Sequence, residues 1–207
     1  EHRREVVDRI RAADAATDRP VAAMLDLPGP EVRTAPLETP IELVGGSTVR
    51  FAPGDTATPD EVGLSHAIDS VTPGDTVLLD DGRIETTVET VDGEVVHARV
   101  ENGGELAGRK GVNVPGVDLG LPVITEQDER ELDVAADKDV DFVAASFVRD
   151  GDDVYRVSEA LDERDADIPV VAKIEREVAV ENLDGIIDVA YGVMVARGDL
   201  GVECPLE

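Results

Sequence analysis

The sequence predicts an α/β fold whose parallel sheet is interrupted by a small all-β module. Apolar runs without polar alternation, typical of buried strands, occupy residues 19–27, 141–148, 168–175 and 190–197. The last three alternate with helical segments, so right-handed crossovers should make all four strands parallel. Between residues 34 and 118 the chain has instead short alternating segments and frequent Gly-Gly, Pro-Gly, Asp-Gly and Asn-Gly turns. That pattern is typical of a small antiparallel barrel or sandwich.

The elements follow from local patterns in chain order. Residues 1–16 form a charged helix, and the run "RPVAAMLDL" is the first strand, so residues 1–33 are the first part of the α/β domain. Residues 34–118 are the inserted β module, and residues 119–207 return to the α/β domain. The absence of polar alternation in the strands predicts burial on both sheet faces.

The second α/β part opens with a helix-capping signal. Thr125 followed by Asp128 resembles a capping box at the start of a helix. Strand 141–148, helix 151–164, strand 168–175, helix 177–187 and strand 190–197 come next, and a last helix begins near Leu200.

Charge excludes two classes of partner. The chain has 47 acidic and 19 basic residues and a net charge of −28, which repels nucleic acid and anionic membrane surfaces. No apolar run approaches the ~18 residues of a membrane span. The single cysteine, Cys204, rules out a disulfide within these residues and fits a reducing cytoplasm.

Lysine is scarce, since Lys110, Lys138 and Lys173 are the only three. An acidic, lysine-poor and aromatic-poor globular chain resembles the proteins of salt-accumulating halophiles, in which concentrated salt screens the self-repulsion. We therefore expect a halophilic source, an archaeon; an ordinary acidic mesophilic protein is the alternative.

Polar residues collect where the four strands end. The strands end at Asp26, near Ser146, at Lys173 and Glu175, and at the stretch Arg197-Gly198-Asp199. The carboxyl ends of parallel strands meet at one edge of a sheet, and ligands bind there. This edge is the predicted site.

Lys173 and Glu175 should point the same way, because side chains alternate along a strand. A plain structural ion pair is one interpretation. A lysine in a chain that otherwise uses arginine favours a need for a compact ammonium group. Glu175 and Asp199 would lie on adjacent strands, where a divalent cation such as Mg²⁺ relieves the repulsion between two carboxylates. Asp199 could instead cap the helix that begins near Leu200.

The stretch "LDLPGPEVRT" (residues 25–34) is a stiff, sharply turned connection into the β module. It carries Asp26, Glu31 and Arg33. Arg33 could bind a phosphate through two hydrogen bonds, or it could be a solvated surface residue.

Six motifs together resemble one known family. They are "LDLPGPEVRT", "LLDDG", "KGVNVPGVDLGLP", "ASFVRDGDDV", "AKIE" and "GVMVARGDLGVE". In order and spacing they are similar to the pyruvate kinase family over essentially the whole chain. The resemblance implies a partial (β/α)8 TIM barrel, roughly its third to sixth strands, with an inserted small all-β barrel domain that acts as a lid.

The resemblance also implies roles for the residues at the strand ends. Lys173 would be the catalytic lysine that stabilises the phosphoryl-transfer transition state and the enolate. Glu175 and Asp199 would be the protein ligands of Mg²⁺. The backbone amides of Gly198 and Asp199 would hold the substrate carboxylate, and Arg33 would approach the transferring phosphate.

A potassium site is implied as well. Asp26 and the carbonyl of Leu27 resemble part of it, and Glu31 resembles the acidic residue of potassium-dependent members. The family usually has Thr-Lys where this chain has Leu27-Pro28, so the threonine hydroxyl is missing from the site. In the nucleotide site, Arg19 and Lys110 occupy positions similar to the family's nucleotide contacts. Arg176 replaces the usual asparagine.

The implied activity is that of a glycolytic phosphotransferase. Such an enzyme converts phosphoenolpyruvate and ADP to pyruvate and ATP and uses Mg²⁺ and K⁺. The resemblance also implies a cytoplasmic homo-oligomer, specifically a homotetramer. One alternative is a Mg²⁺-dependent aldolase or lyase that forms a pyruvate enolate on a similar barrel. The other is an inactive, fold-incomplete fragment, because four strands cannot close an eight-stranded barrel. These 207 residues alone are expected to be inactive.

Overall fold

The computed structural model describes residues 2–204, which form two compact units. The first unit comprises residues 2–30 and 122–197, and the second comprises residues 31–121 and 198–204. Among the described residues, no helix combines the length and the apolar composition needed to cross a bilayer.

The described residues form helices and strands in the following order. The helices are α1 (His2–Ala15), α2 (Glu126–Lys138), α3 (Gly151–Asp162), α4 (Glu177–Glu181), α5 (Leu183–Val189) and α6 (Arg197–Glu203). The strands are β1 (Met24–Asp26), β2 (Val32–Arg33), β3 (Ile41–Leu43), β4 (Thr48–Pro53), β5 (Ala57–Thr58), β6 (Glu61–Leu64), β7 (Thr76–Leu79), β8 (Ile84–Asp92), β9 (Val95–Asn102), β10 (Gly104–Leu106), β11 (Gly111–Asn113), β12 (Phe142–Ala145), β13 (Val170–Ile174) and β14 (Gly192–Val195).

The first unit is built on a four-stranded sheet of order β1-β12-β13-β14. All three strand pairs are parallel, which confirms the predicted α/β fold. Side chains from the sheet and from α1, α2, α3, α4 and α5 share one apolar core. Parallel strands joined by helices bring their carboxyl ends to the same edge, so the ends of β1, β12 and β13 meet there.

Burial on both sheet faces holds only for the two middle strands. β12 and β13 are almost entirely buried, whereas Met24 of β1 is 44% exposed and Val195 of β14 is 57% exposed. The prediction is therefore wrong for β1 and β14, because both are edge strands of this sheet. The first strand is also shorter than predicted, since residues 19–23 precede it and only Met24–Asp26 pairs with β12.

Two of the predicted helices differ in the structure. The expected helix 177–187 is divided into α4 and α5 at Asn182, whose backbone leaves the helical conformation (φ −98°, ψ 16°). The Asn182 side-chain amide donates to the carbonyl of Arg149. The last helix begins at Arg197, three residues before the predicted start at Leu200, so Gly198 and Asp199 belong to its first turn.

Asp128 connects the start of α2 to the turn after β1. Thr125 and Asp128 form the predicted capping box, in which Asp128 Oδ2 accepts from the Thr125 amide at 2.8 Å and hydroxyl at 2.6 Å. Its Oδ1 accepts from the Gly29 amide at 3.0 Å. Asp128 is only 1% exposed, so one buried carboxylate satisfies donors from two segments that are 99 residues apart.

The second unit contains an eight-stranded sheet of order β2-β11-β7-β8-β9-β4-β6-β5 and the pair β10-β3. The Thr34–Leu64 bridge joins the β2 end of the sheet to β6. Two backbone hydrogen bonds flank it, from the Ser65 amide to Arg33 O (2.9 Å) and from the Ala35 amide to Gly63 O (2.8 Å). They close the sheet into a small barrel around its own apolar core.

One strand pair of this barrel is parallel, so the purely antiparallel prediction is wrong there. β4 and β6 run side by side in the same direction, and the short strand β5 lies in the crossover between them. A Cβ at Gly63 would lie 2.5 Å from Gly54 O and 2.6 Å from Thr56 O. Only glycine fits this tight crossover, which the turn signals of the sequence did not reveal.

Asp128→Asn is expected to destabilise the first unit. The amide can satisfy only part of the three donors that the carboxylate accepts, and each buried unsatisfied donor costs about 1–3 kcal/mol. Asp133→Asn on the same helix is the matched control, because Asp133 is 61% exposed and its ion pair with Arg164 is worth little. Thermal unfolding of the full-length protein should show a midpoint several degrees lower for Asp128→Asn only. Equal midpoints would contradict this role.

Candidate active site

Lys173 lies at the carboxyl edge of the parallel sheet, where all three of its ammonium donors find oxygen partners. Its Nζ lies 2.9 Å from Glu175 Oε1, 2.9 Å from Ser146 Oγ and 3.3 Å from Asp26 Oδ1. These partners come from the ends of β13, β12 and β1, three neighbouring strands. The predicted common orientation of Lys173 and Glu175 is therefore observed.

The environment of Lys173 keeps its side chain charged. Burial by itself would lower the pKa of the ammonium group. The hydrogen bond and the charge of Glu175, together with the charge of Asp26, outweigh that effect and raise the pKa above its ordinary value. Lys173 is thus a fixed positive charge, with a side chain 15% exposed.

Glu175 is a buried carboxylate whose two oxygens are both hydrogen-bonded. Its side chain is 1% exposed. Oε1 accepts from Lys173, and Oε2 accepts from the backbone amide of Phe147 at 2.7 Å. A buried charge requires such partners, because desolvation without compensation costs several kcal/mol.

Phe147 makes this hydrogen bond from an unusual backbone conformation. Its φ is +56°, in the left-handed region that costs a residue with a side chain about 1–2 kcal/mol. Gly29 packs directly on the turn, since a Cβ there would lie 3.0 Å from Ser146 Cβ and 3.1 Å from Phe147 Cδ2. The guanidinium of Arg176 lies 5.4 Å from the centroid of the Phe147 ring, within cation–π range.

Glu175 offers carboxylate oxygens of the kind that a hard divalent cation prefers. Carboxylate oxygens are preferred ligands of Mg²⁺, and each oxygen of Glu175 accepts one hydrogen bond and keeps a second lone pair. Within residues 2–204, no group of three or more His, Cys, Asp and Glu side chains is arranged to hold a metal. Asp199, the second predicted ligand, belongs to the other unit, in the first turn of α6.

Asp26 and Leu27 are the predicted potassium ligands; Asp26 is the last residue of β1, and Leu27 follows it directly. The Asp26 carboxylate is 61% exposed and faces the ammonium of Lys173. The Leu27 amide donates to Ala144 O at 3.0 Å, which extends the β1–β12 pairing by one bond. Asp26 thus offers carboxylate oxygens to a potassium ion, although the ammonium group of Lys173 already lies 3.3 Å from one of them.

Arg33 and Lys110 both belong to the second unit, and each is paired with a carboxylate. Arg33 makes an ion pair with Glu31, and its Nη1 donates to Arg109 O at 2.9 Å. Lys110 Nζ lies 2.7 Å from Asp80 Oδ1. To bind a phosphate, Arg33 would have to leave Glu31, and Lys110 would have to leave Asp80.

The pKa of the Glu31 carboxyl is raised above its ordinary value, although Arg33 is its ion-pair partner. Burial is the main cause that raises the pKa of the Glu31 carboxyl, and the charges of Asp199 and Asp81 raise it further. The charge and hydrogen bond of Arg33 oppose the shift without cancelling it. Arg33 itself is 55% exposed, so it remains accessible to a ligand.

The remaining predicted residues occupy less constrained positions. Arg19 is exposed in the segment between α1 and β1, where its amide donates to Thr17 Oγ1 at 3.0 Å. Gly198 and Asp199 lie in the first turn of α6, whose amides lack partners within the helix.

Three residues at the strand ends were missed as site residues: Ser146, Phe147 and Arg176. Ser146 was recognised only as a strand end, although its hydroxyl accepts from Lys173. No sequence signal points to Phe147, because aromatic residues seldom adopt a positive φ. Arg176 could have been found, since it directly follows the predicted ligand Glu175.

Comparisons with known proteins agree on one family. The model of the pyruvate kinase barrel domain matches residues 1–207. Proteins named pyruvate kinase from Geobacillus stearothermophilus and Bacillus licheniformis are 46% and 42% identical to this chain, over 100% and 97% of its length. One from Clostridium acetobutylicum is 38% identical over 96% of the chain. The chain spans 36% of the length of the first two relatives and 43% of the third.

The match extends through both units and includes every residue of the Lys173 site. The family model covers the complete sequence, and the relatives are similar to the chain over nearly all of its length. Both findings assign the chain to the same family. The chain belongs to the pyruvate kinase family.

Proposed function

We propose that the full-length protein transfers the phosphoryl group of phosphoenolpyruvate to ADP, which gives pyruvate and ATP. The observation that carries the proposal is the Lys173–Glu175 pair, held by Asp26, Ser146 and Phe147 at the carboxyl edge of the sheet. In this reaction an oxygen of the ADP β-phosphate bonds to phosphorus as the bond from phosphorus to the enol oxygen breaks. The resulting enolate takes up a proton at carbon.

Phosphoryl transfer of this kind demands alignment and charge neutralisation more than covalent chemistry from the protein. Lys173 provides a fixed ammonium whose charge is maintained by its surroundings. We propose that it stabilises the negative charge that develops on the enolate oxygen and on the moving phosphoryl group. Its three oxygen partners orient it before substrate arrives, so little reorganisation is needed during the reaction.

Glu175 and Asp199 are the proposed protein ligands of Mg²⁺. When bound, the metal would act as a Lewis acid on the substrate oxygens. Two carboxylates with substrate and water oxygens meet the preference of Mg²⁺ for few protein ligands. Asp26 with the Leu27 carbonyl is the proposed part of a K⁺ site, without the threonine that the family usually has there.

The substrate and nucleotide contacts are proposed from the family resemblance. Arg33 would bind the phosphate, and the amides of Gly198 and Asp199 would bind the substrate carboxylate, with first-turn amides available for this purpose. Arg19 and Lys110 would contact ADP. Excluding water matters here, since water would otherwise accept the phosphoryl group.

We further propose a domain division into residues 1–33, 34–118 and 119–207, with the β barrel inserted as a lid. Two separate apolar cores support a β module distinct from the α/β part, although Val32 belongs to the core of the β module. Barrel strands beyond this chain would continue the exposed edges of β1 and β14. A cytoplasmic homo-oligomer, a homotetramer by resemblance, completes the proposal.

Lys173→Met in the full-length enzyme should lower kcat by several orders of magnitude. The variant loses an interaction that matters most in the transition state, so Mg²⁺ affinity should stay within a few-fold. Lys138→Met is the matched control, because Lys138 pairs with Asp8 on the surface, and its kcat should not change. A Lys173→Met enzyme that keeps more than about a tenth of the activity would be incompatible with the proposed role.

Assays of the wild-type enzyme distinguish a phosphotransferase from the lyase alternative. ATP formation from phosphoenolpyruvate and ADP, followed with a coupled pyruvate assay, is expected for the wild-type enzyme. Retro-aldol release of pyruvate from a hydroxy-keto acid, without any requirement for ADP, would instead identify the lyase alternative.

Lys110→Ala should raise the KM for ADP by the equivalent of about 1–2 kcal/mol, the scale of one charge-assisted hydrogen bond. The KM for phosphoenolpyruvate should change much less, because Arg33 and the Gly198 and Asp199 amides, rather than Lys110, are the proposed contacts of that substrate. Arg83→Ala is the matched control, since Arg83 is the other cation beside Asp80, at 3.3 Å. Steady-state kinetics with each substrate varied in turn makes the measurement. Equal effects on both substrates, or the same effect from Arg83→Ala, would contradict a nucleotide contact.

A further inference from the structure

We propose that Phe147 is a positioning residue that fixes the carboxylate of Glu175 for metal binding. The inference rests on the proposed function, in which Glu175 is a metal ligand. It concerns a backbone group, the Phe147 amide, and the side-chain packing that holds this amide in place. Phe147 itself touches neither substrate nor metal in this proposal.

The amide of Phe147 donates to Glu175 from a turn with an unusual backbone conformation. Phe147 is the second residue after β12, and its φ of +56° turns the chain away from the strand direction. From that conformation its amide donates to Glu175 Oε2 at 2.7 Å. Lys173 holds the other oxygen, Oε1, so the two hydrogen bonds fix the orientation of the carboxylate plane.

Side-chain packing keeps this unfavourable conformation populated. Gly29 lies against the turn so closely that even a methyl group there would contact Phe147 Cδ2 at 3.1 Å. The guanidinium of Arg176 also lies near the ring, 5.4 Å from the Phe147 centroid. A left-handed aromatic residue persists only where its surroundings determine it strongly, as these two contacts do.

The same turn also serves the catalytic lysine. Ser146 precedes Phe147, and its hydroxyl accepts from Lys173 at 2.9 Å. The two residues after β12 therefore each contact one functional side chain at the end of β13: Ser146 contacts Lys173, and Phe147 contacts Glu175. A change in the backbone of this turn would weaken the hydrogen bond to Glu175 directly. It would also weaken the contact with Lys173, because Ser146 belongs to the same turn.

The test measures metal binding without turnover. Mn²⁺, a paramagnetic substitute for Mg²⁺, is titrated into the full-length enzyme without substrates, and free Mn²⁺ is measured by electron paramagnetic resonance. Phe147→Ala should raise the Mn²⁺ dissociation constant about tenfold or more, the usual effect of removing support from a metal ligand. Phe147→Tyr keeps the ring and should stay within about threefold of wild type.

Asp165→Ala provides the matched backbone control. Asp165 also has a positive φ, +53°, and lies in the turn after α3. Its replacement should lower thermal stability without changing the Mn²⁺ dissociation constant. If Phe147→Ala does not yield folded protein, Phe147→Leu keeps apolar bulk without the ring and should weaken Mn²⁺ binding at least threefold.

Two results would overturn the inference. One is a folded Phe147→Ala or Phe147→Leu enzyme with unchanged Mn²⁺ affinity. The other is an equal loss of Mn²⁺ affinity in Asp165→Ala, which would reveal a general effect of stability. The proposed function is judged separately: if Mn²⁺ binding depends on Phe147 but the wild-type enzyme forms no ATP, that function is refuted and the inference stands.

Discussion

The buried carboxylate of Glu175 is the constraint on which the rest of the site depends. At 1% exposure it has no solvent to stabilise its charge, so the protein must supply donors to both oxygens. Lys173 and the Phe147 amide are those donors. The ammonium of Lys173 in turn needs oxygen partners, and it finds them in Ser146 and Asp26.

The order of the strands makes this arrangement possible. β1, β12 and β13 are consecutive neighbours in a parallel sheet, so their carboxyl ends converge although they lie far apart in the sequence. Asp128 strengthens the same region, because it ties the start of α2 to Gly29, and Gly29 packs on the Phe147 turn. Fold stability and site geometry therefore share residues, and the turn after β1 is where they meet.

Much of this was predictable from the sequence. Period-two alternation was enough to pair Lys173 with Glu175, and the Thr125–Asp128 spacing was enough to predict the capping box. Local rules could not show that a phenylalanine adopts a positive φ, since that conformation is imposed by packing from Gly29 and Arg176.

The remaining differences have a common cause in tertiary context. At the break between α4 and α5, the Asn182 side chain donates to the carbonyl of Arg149, which is 33 residues away in the sequence. Which strands form the sheet edges, and hence which apolar runs are exposed, depends on strand order rather than composition. The halophilic interpretation of the −28 net charge stays a prediction, since neither the fold nor the relatives bear on it.

Glu175→Gln tests the central claim most directly. Glutamine keeps the size of the side chain and can still accept from the Phe147 amide, but it lacks the negative charge that strengthens the binding of a divalent cation. In the full-length enzyme, the Mg²⁺ concentration for half-maximal ATP formation should rise at least about tenfold. Glu177→Gln, on an exposed residue of α4, should leave it unchanged. A folded Glu175→Gln enzyme with the wild-type Mg²⁺ dependence would contradict the account.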